Sequence, residues 1–273
     1  MTKRPRRSNE GRSPSPKPQA SEVEEAAPAP MPSAAGAGRI GAMALPVLML
    51  VGVLVVWSGP PPDLKDPWAE AAKGFGSPGE TEAARRATFL KAASELTRLT
   101  EAYPKHARVH YMTAYALINI DDLDGAIRHA REAVRLGSGA VVNRVDIVAR
   151  EVLVAASLQK SEPLMGRKDY DAALKILMAA REDAPDSLPI LINIGNALLL
   201  KNDPLGARGY FEKAATLDPR NSQIQVTLAT IYRGERQIPQ AISALEKAIS
   251  LNPKDTSAQQ MLAQLRAASV AAK

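Results

Sequence analysis

The stretch Leu188–Asn221 reads LPILINIGNALLLKNDPLGARGYFEKAATLDPRN, and Ser222–Asp255 directly after it reads SQIQVTLATIYRGERQIPQAISALEKAISLNPKD. Aligned without a gap, the two stretches carry alanine and proline in shared columns. Pro185, Pro219 and Pro253 are 34 residues apart, as are Ala173, Ala207 and Ala241, and again Ala180, Ala214 and Ala248. Within the first copy Leu191, Ile194, Gly195 and Leu198 fall on one helix face. Ala207, Phe211 and Ala214 fall on a second. Asp203-Pro204 and Gln237-Ile238-Pro239 mark tight turns between paired helices. Proline also closes the second helix of each copy, since its ring removes a donor and clashes with the preceding turn. Small residues at the crossing let two antiparallel helices approach at the low end of the usual ~8–10 Å.

The period continues towards the N-terminus. A step of 47 reaches Ala126 and Ala133, and a further 34 reaches Ala92, just before Tyr103-Pro104. A 34-residue period with these columns resembles the tetratricopeptide repeat, and the resemblance covers roughly 190 residues. It implies an all-α fold, a tetratricopeptide-repeat α-solenoid, over residues 82–273. The expected units are a lone second helix at 82–106, repeats at 107–140, 188–221 and 222–255, and a capping helix at 256–271. Residues 141–187 form a degenerate copy with 13 extra residues. Those extras are expected to lengthen its first helix through Leu158 and to form a loop over Lys160–Lys168. Gln225 stands where the pattern places a large apolar residue.

Composition agrees with a helical array. Two Trp, six Tyr and three Phe among 273 residues suit many small helix–helix contacts better than an aromatic-rich sheet. There is no cysteine, which excludes disulfides, thiolate nucleophiles and cysteine-held metals. The net charge of +6 divides evenly: residues 1–39 carry seven Lys/Arg and four Glu, leaving 28 Lys/Arg and 25 Asp/Glu beyond residue 57. So balanced a body has no broad field for holding nucleic acid.

Ahead of the repeats, residues 1–39 hold seven prolines, five serines and few large apolar side chains. Such a basic, Pro-rich tail cannot bury enough surface to order itself. From Ile40 to Trp57 there is no charge, and the run IGAMALPVLMLVGVLVVW spans about 27 Å as a helix, near bilayer thickness. It reads as a single-pass transmembrane helix. Counted over the whole tail, Lys and Arg favour a cytoplasmic N-terminus and an exported, periplasmic repeat domain at a bacterial inner membrane. Residues 58–81 form a flexible linker. Its Gly74-Phe75-Gly76-Ser77-Pro78-Gly79 matches the nucleotide fingerprint only formally, because no strand leads into it.

Motifs for catalysis are missing. The chain has no G-x-x-x-x-G-K-[ST] loop and no G-x-S-x-G elbow, and it reads as a non-enzyme. His106 and His110 stand i, i+4 apart, as metal ligands do, but no Glu follows His106 and His110 falls in a packing column. No cofactor and no metal are expected.

In this repeat family the first helices line a concave groove. Taking about 100° per residue, the side of each first helix away from its packing columns carries Arg108, Tyr111, Tyr115 and Ile118 in one unit. The next unit presents Ile192, Asn193, Asn196 and Leu199, and the third Val226, Thr230 and Arg233. Family members that grip a terminal carboxylate use lysine and asparagine there; Tyr111, Ile192 and Val226 occupy the lysine positions. The surface suits a peptide or an amphipathic helix. Two other readings stand beside recruitment of a protein segment. One is a possible homo-oligomer that organises a membrane structure. The other is an assembly subunit resembling repeat proteins of cytochrome c maturation or of the translocon.

Overall fold

The computed structural model describes residues 81–138 and 144–271. The tail, the apolar run at 40–57 and nearly all of the linker fall outside the described residues. Among those described there are ten helices and no strand. They are α1 (Glu82–Ala102), α2 (Ala107–Ile118), α3 (Leu123–Gly137), α4 (Val145–Gly166), α5 (Tyr170–Asp183), α6 (Leu188–Leu200), α7 (Pro204–Leu217), α8 (Ser222–Gly234), α9 (Ile238–Leu251) and α10 (Thr256–Ala271). Each packs chiefly on its chain neighbours, and successive first helices α2, α4 and α6 also touch. The all-α solenoid expected from the repeat is the observed architecture.

Local chemistry explains several of the starts and stops. The carboxylates of Asp122, Asp169 and Asp203 accept from the backbone N–H three residues on, capping α3, α5 and α7. Asn221 does the same for α8. Directly before the caps of α3, α5, α7 and α9 stand Asp121, Lys168, Asn202 and Arg236, all left-handed, with φ between 59° and 66°. At each of these turns the cap residue donates back to the fifth residue before it, as in Asp203 N–H to Leu198 O at 2.8 Å and Gln237 N–H to Tyr232 O at 2.8 Å. This is the Schellman closure, which satisfies carbonyls a helix end leaves open.

The same turn corrects one expectation. No loop occupies Lys160–Lys168: α4 continues to Gly166, and only Arg167–Asp169 separate it from α5. Pro163 sits inside its last turn, where its own carbonyl accepts from Arg167 N–H at 3.1 Å. Leu164 O takes the N–H of Asp169 at 2.9 Å, so the Schellman turn keeps its 34-residue register with Asn202. The helix is therefore prolonged at its N-terminal end, to 22 residues against 13 in α6.

The packing columns are buried. Ala126, Ala133, Ala173, Ala207, Ala214, Ala241 and Ala248 are fully enclosed. Gly195 faces the Phe211 ring so closely that a Cβ on it would lie 2.6 Å from Phe211 Cε2. The corresponding pair one unit later is Ala229 and Leu245, and in the 107–140 unit Ala114 and Ala130, all buried. Glycine thus stands with the largest partner, Phe211, and alanine with the smaller Leu245 and Ala130. Gln225 is buried too, holding its column despite its amide. Three apolar clusters follow one another along the chain, and Leu198, Tyr210 and Tyr232 each adjoin two of them.

Candidate functional site

The face formed by successive first helices was expected to be open along its length, and it is not. Arg108, Tyr111, Tyr115 and Ile118 are all buried, with Tyr111 7% and Tyr115 5% exposed. Every residue of α2 from Arg108 to Ile118 is buried, since α1, α3 and α4 all pack against this helix. The Phe89 ring of α1 lies 6.1 Å from that of Tyr115, which is 6.5 Å from Tyr111. Burial pushes the Tyr115 phenol up to about 12 and raises that of Tyr111 further, with Tyr115 and Glu151 adding to the latter. Glu151 is itself raised by burial. A helical wheel sees one helix and misses neighbours on three sides. The signal in the sequence was that ARVHYMTAYALI is apolar nearly all round, the mark of an enclosed helix.

The second half of the face is different. Ile192, Asn193, Asn196 and Leu199 on α6 and Val226 on α8 are partly exposed, and Thr230 and Arg233 are exposed. Asn193 Nδ2 donates to Pro189 O at 2.9 Å and Thr230 Oγ1 to Val226 O at 3.0 Å, each within its own helix. Among the described residues, the Asn196 amide has no hydrogen-bond partner and the Arg233 guanidinium no ion pair. Asn196 lies on α6 with Ile192 and Leu199, and Arg233 lies on α8 with Val226.

Two further places hold chemistry. A cleft of about 430 Å³ between α5 and α7 is lined by Arg181, Glu182, Pro185, Leu191, Gly209, Tyr210 and Lys213. Arg181 Nη1 donates to the Tyr210 hydroxyl at 3.1 Å, which in turn lies 3.3 Å from Met178 Sδ. Lys213 pairs with Asp186 at 2.9 Å. At the other end, all three histidines of the chain gather: His110 Nδ1 lies 3.1 Å from His129 Nδ1, and His110 Nε2 lies 3.0 Å from Pro104 O. The sequence showed His106 with His110 but not His129, 19 residues on and brought in by the antiparallel return of α3. Among the described residues no group of three or more His, Asp or Glu is arranged to hold a metal ion.

Antiparallel helix pairs with caps, alanine crossings and closing prolines at a 34-residue period define an α-solenoid of paired-helix repeats. A tetratricopeptide-repeat family model matches residues 198–265, and a second model of the same description matches 81–141 and 164–222, more than half the chain together. The chain belongs to the tetratricopeptide-repeat family. No curated protein matches it significantly. Solved structures with likeness to it include TTC0263, a tetratricopeptide-repeat protein of Thermus thermophilus, 17% identical, covering 73% of this chain and 98% of that one, with a TM-score of 0.33. MamA from Desulfovibrio magneticus RS-1 is 18% identical over 70% of this chain and 98% of its own, with a TM-score of 0.40. The TPR2AB domain of yeast Sti1, in its pHSP90 complex, is 16% identical over 73% and 81%, with a TM-score of 0.36. The family assignment rests on the repeat matches and the packing columns.

Proposed function

We propose that this chain is a membrane-anchored scaffold, not an enzyme, whose repeats hold a protein or peptide segment against α6 and α8. The observation that carries the reading is the unpartnered Asn196 amide and Arg233 guanidinium beside partly exposed Ile192, Leu199 and Val226. An amide in such a place pairs with the backbone of an extended ligand, which supplies affinity with little sequence preference. Arg233 adds a cation at the rim for an acidic side chain of the ligand. The buried Tyr111 and Tyr115 are not part of this surface.

The anchor in this reading is the uncharged run 40–57. Among the described residues no helix is long and apolar enough to cross a membrane, and residues 40–57 lie outside them. The seven Lys/Arg of the tail favour a cytoplasmic N-terminus, which puts the repeats in the periplasm of a bacterial cell. Alkaline phosphatase fused after Lys273 is expected to be active, and a fluorescent protein that folds only in the cytoplasm is expected to be dark there. The reverse pattern moves the partner to the cytoplasm.

Binding is tested by capture from native membranes with the full chain and with a variant carrying Ile192→Ala, Asn196→Ala and Arg233→Ala. The variant is expected to lose the main captured protein at unchanged helical content, because anchoring side chains often cost ~2 kcal/mol or more when truncated. Equal capture by both chains removes the groove from the proposal.

Self-assembly is the second reading. Leu200 is 46% and Leu205 67% exposed at the turn joining α6 to α7, and paired exposed leucines favour burial against another copy. Sedimentation of the full chain in detergent separates the readings: a concentration-dependent oligomer that Leu205→Lys dissolves supports self-assembly.

A further inference from the structure

The turn at Asp169 puts the last part of α4 in register with α6 and α8. The bonds from Asp169 N–H to Leu164 O, Asp203 N–H to Leu198 O and Gln237 N–H to Tyr232 O recur every 34 residues, so residues 154–166 are the counterpart of α6. Burial repeats with them. Ser157 and Ser161 are enclosed as Leu191 and Gly195 are, and as Gln225 and Ala229 are one unit later. The side of α4 that answers to the surface on α6 and α8 therefore carries Leu158, Glu162 and Met165. Leu158 shares a column with Ile192 and Val226, Glu162 with Asn196 and Thr230, and Met165 with Leu199 and Arg233. Leu158 and Met165 adjoin the apolar cluster that holds Ile190 and Ile194 of α6, and α4 packs on α6. Ile192 and Leu199 adjoin the next cluster, which holds Leu228 and Ile231 of α8.

Charge is scarce along these columns. In a chain with 23% charged residues they hold only Glu162 at the α4 end and Arg233 at the α8 end. Glu162 is exposed, and among the described residues its carboxylate makes no hydrogen bond or ion pair. Lys160 and Lys201 are engaged elsewhere, with Asp124 and Asp171, while Arg167 and Lys168 lie past the end of α4 in its turn. A face depleted of charge, with one charge of each sign at its ends, binds a complementary segment in one direction. We propose that the ligand surface runs from α4 to α8, and that Glu162 selects a segment of another protein carrying Lys or Arg over α4 and Asp or Glu over α8, with apolar side chains between. This rests on the groove reading above and adds to it a third helix and a polarity. Two interhelix steps of about 8–10 Å separate the charges, which an extended chain covers in roughly five or six residues. The chain's own linker fits poorly, since Asp63, Lys65, Asp66, Glu70 and Lys73 interleave both signs over columns that are uncharged. A second copy presents the same groove and does not fill it.

The test is panning of a displayed random-peptide library on the full chain in detergent. Enriched peptides are expected to carry a basic and an acidic residue about five or six positions apart, with apolar residues between. Glu162→Lys is expected to weaken the best of them about tenfold at unchanged helical content. Changing that peptide's basic residue to Glu is expected to restore binding to the variant. Peptides that ignore Glu162 but lose binding with Asn196→Ala and Arg233→Ala leave the groove on α6 and α8 standing and overturn its extension to α4. Peptides indifferent to all three residues, or no enrichment with or without residues 58–80, overturn both. Binding that appears only after deletion of residues 58–80 puts the linker in the groove, and binding lost as the chain oligomerises puts a second copy there. Either result overturns an outside ligand.

Discussion

Lys168 and Arg236 stand left-handed at φ 63° and 59°, a conformation that suits glycine and strains a residue with a Cβ. Among the described residues neither side chain makes a hydrogen bond or ion pair that offsets the strain. Lys168→Gly and Arg236→Gly are each expected to raise stability by up to about 1 kcal/mol, the ~1–2 kcal/mol of left-handed strain relieved less the ~0.5–1 kcal/mol of chain freedom that glycine adds, read as an increase in the denaturation midpoint. Asp121 in the same position is a different case. Its carboxylate binds Arg86 at 2.8 Å and accepts from Gln159 at 3.1 Å, so Asp121→Gly loses two inter-helix contacts and is expected to show no gain. The buried tyrosines give a pH dependence of defined sign. Tyr115 is raised to about 12 in the fold, and an unfolded tyrosine ionises near 10. Its contribution is fully present below about pH 10 and is lost as pH rises from about 10 towards 12. Tyr115→Phe is expected to flatten that alkaline loss, checked by urea unfolding at about pH 9 and about pH 11, on either side of the unfolded value.

Helix pairs fit by complementary size. Gly195→Ala places a methyl group against Phe211 and is expected to cost about 1–3 kcal/mol, the range for overpacking. Adding Phe211→Leu recreates the Ala229–Leu245 pair of the following unit and is expected to recover most of that loss. Chemical denaturation of the two single variants and the double one measures the coupling directly. Additive losses would show that the column is not a matched pair. The α4–α5 unit carries a second lesson about elements. Its turn is held by Asp169, Lys168 and the Leu164 carbonyl, so the insertion leaves the turn in register and lengthens the helix at the opposite end, to 22 residues against 13 in α6.

The array is coupled from neighbour to neighbour: among the described residues its apolar clusters share Leu198, Tyr210 and Tyr232, each at the border of two successive clusters. Ala207 is fully buried on α7, which packs against α6. Ala207→Leu is expected to cost about 1–3 kcal/mol and to reduce hydrogen-exchange protection chiefly in residues 188–255. Uniform loss from α1 to α10 would show that the molecule unfolds as one cooperative unit instead.

How much was legible in the residues depends on the range of the interactions involved. The 34-residue period, the helix pairs, the alanine columns and the turn at Asp203-Pro204 were all readable, since each rests on spacing along one helix or one turn. Even Gly195 opposite Phe211 follows from the period. The burial of Tyr111 and Tyr115 was not readable from a wheel, because coverage comes from α1 and α4, which approach from outside the repeat's own helix pair. Nor was the His110–His129 bond, since the antiparallel return of α3 makes neighbours of residues 19 apart. The open surface on α6 and α8 was legible only as candidates. Which of those side chains lack partners depends on where every surrounding helix ends, and that is set by packing across the whole array.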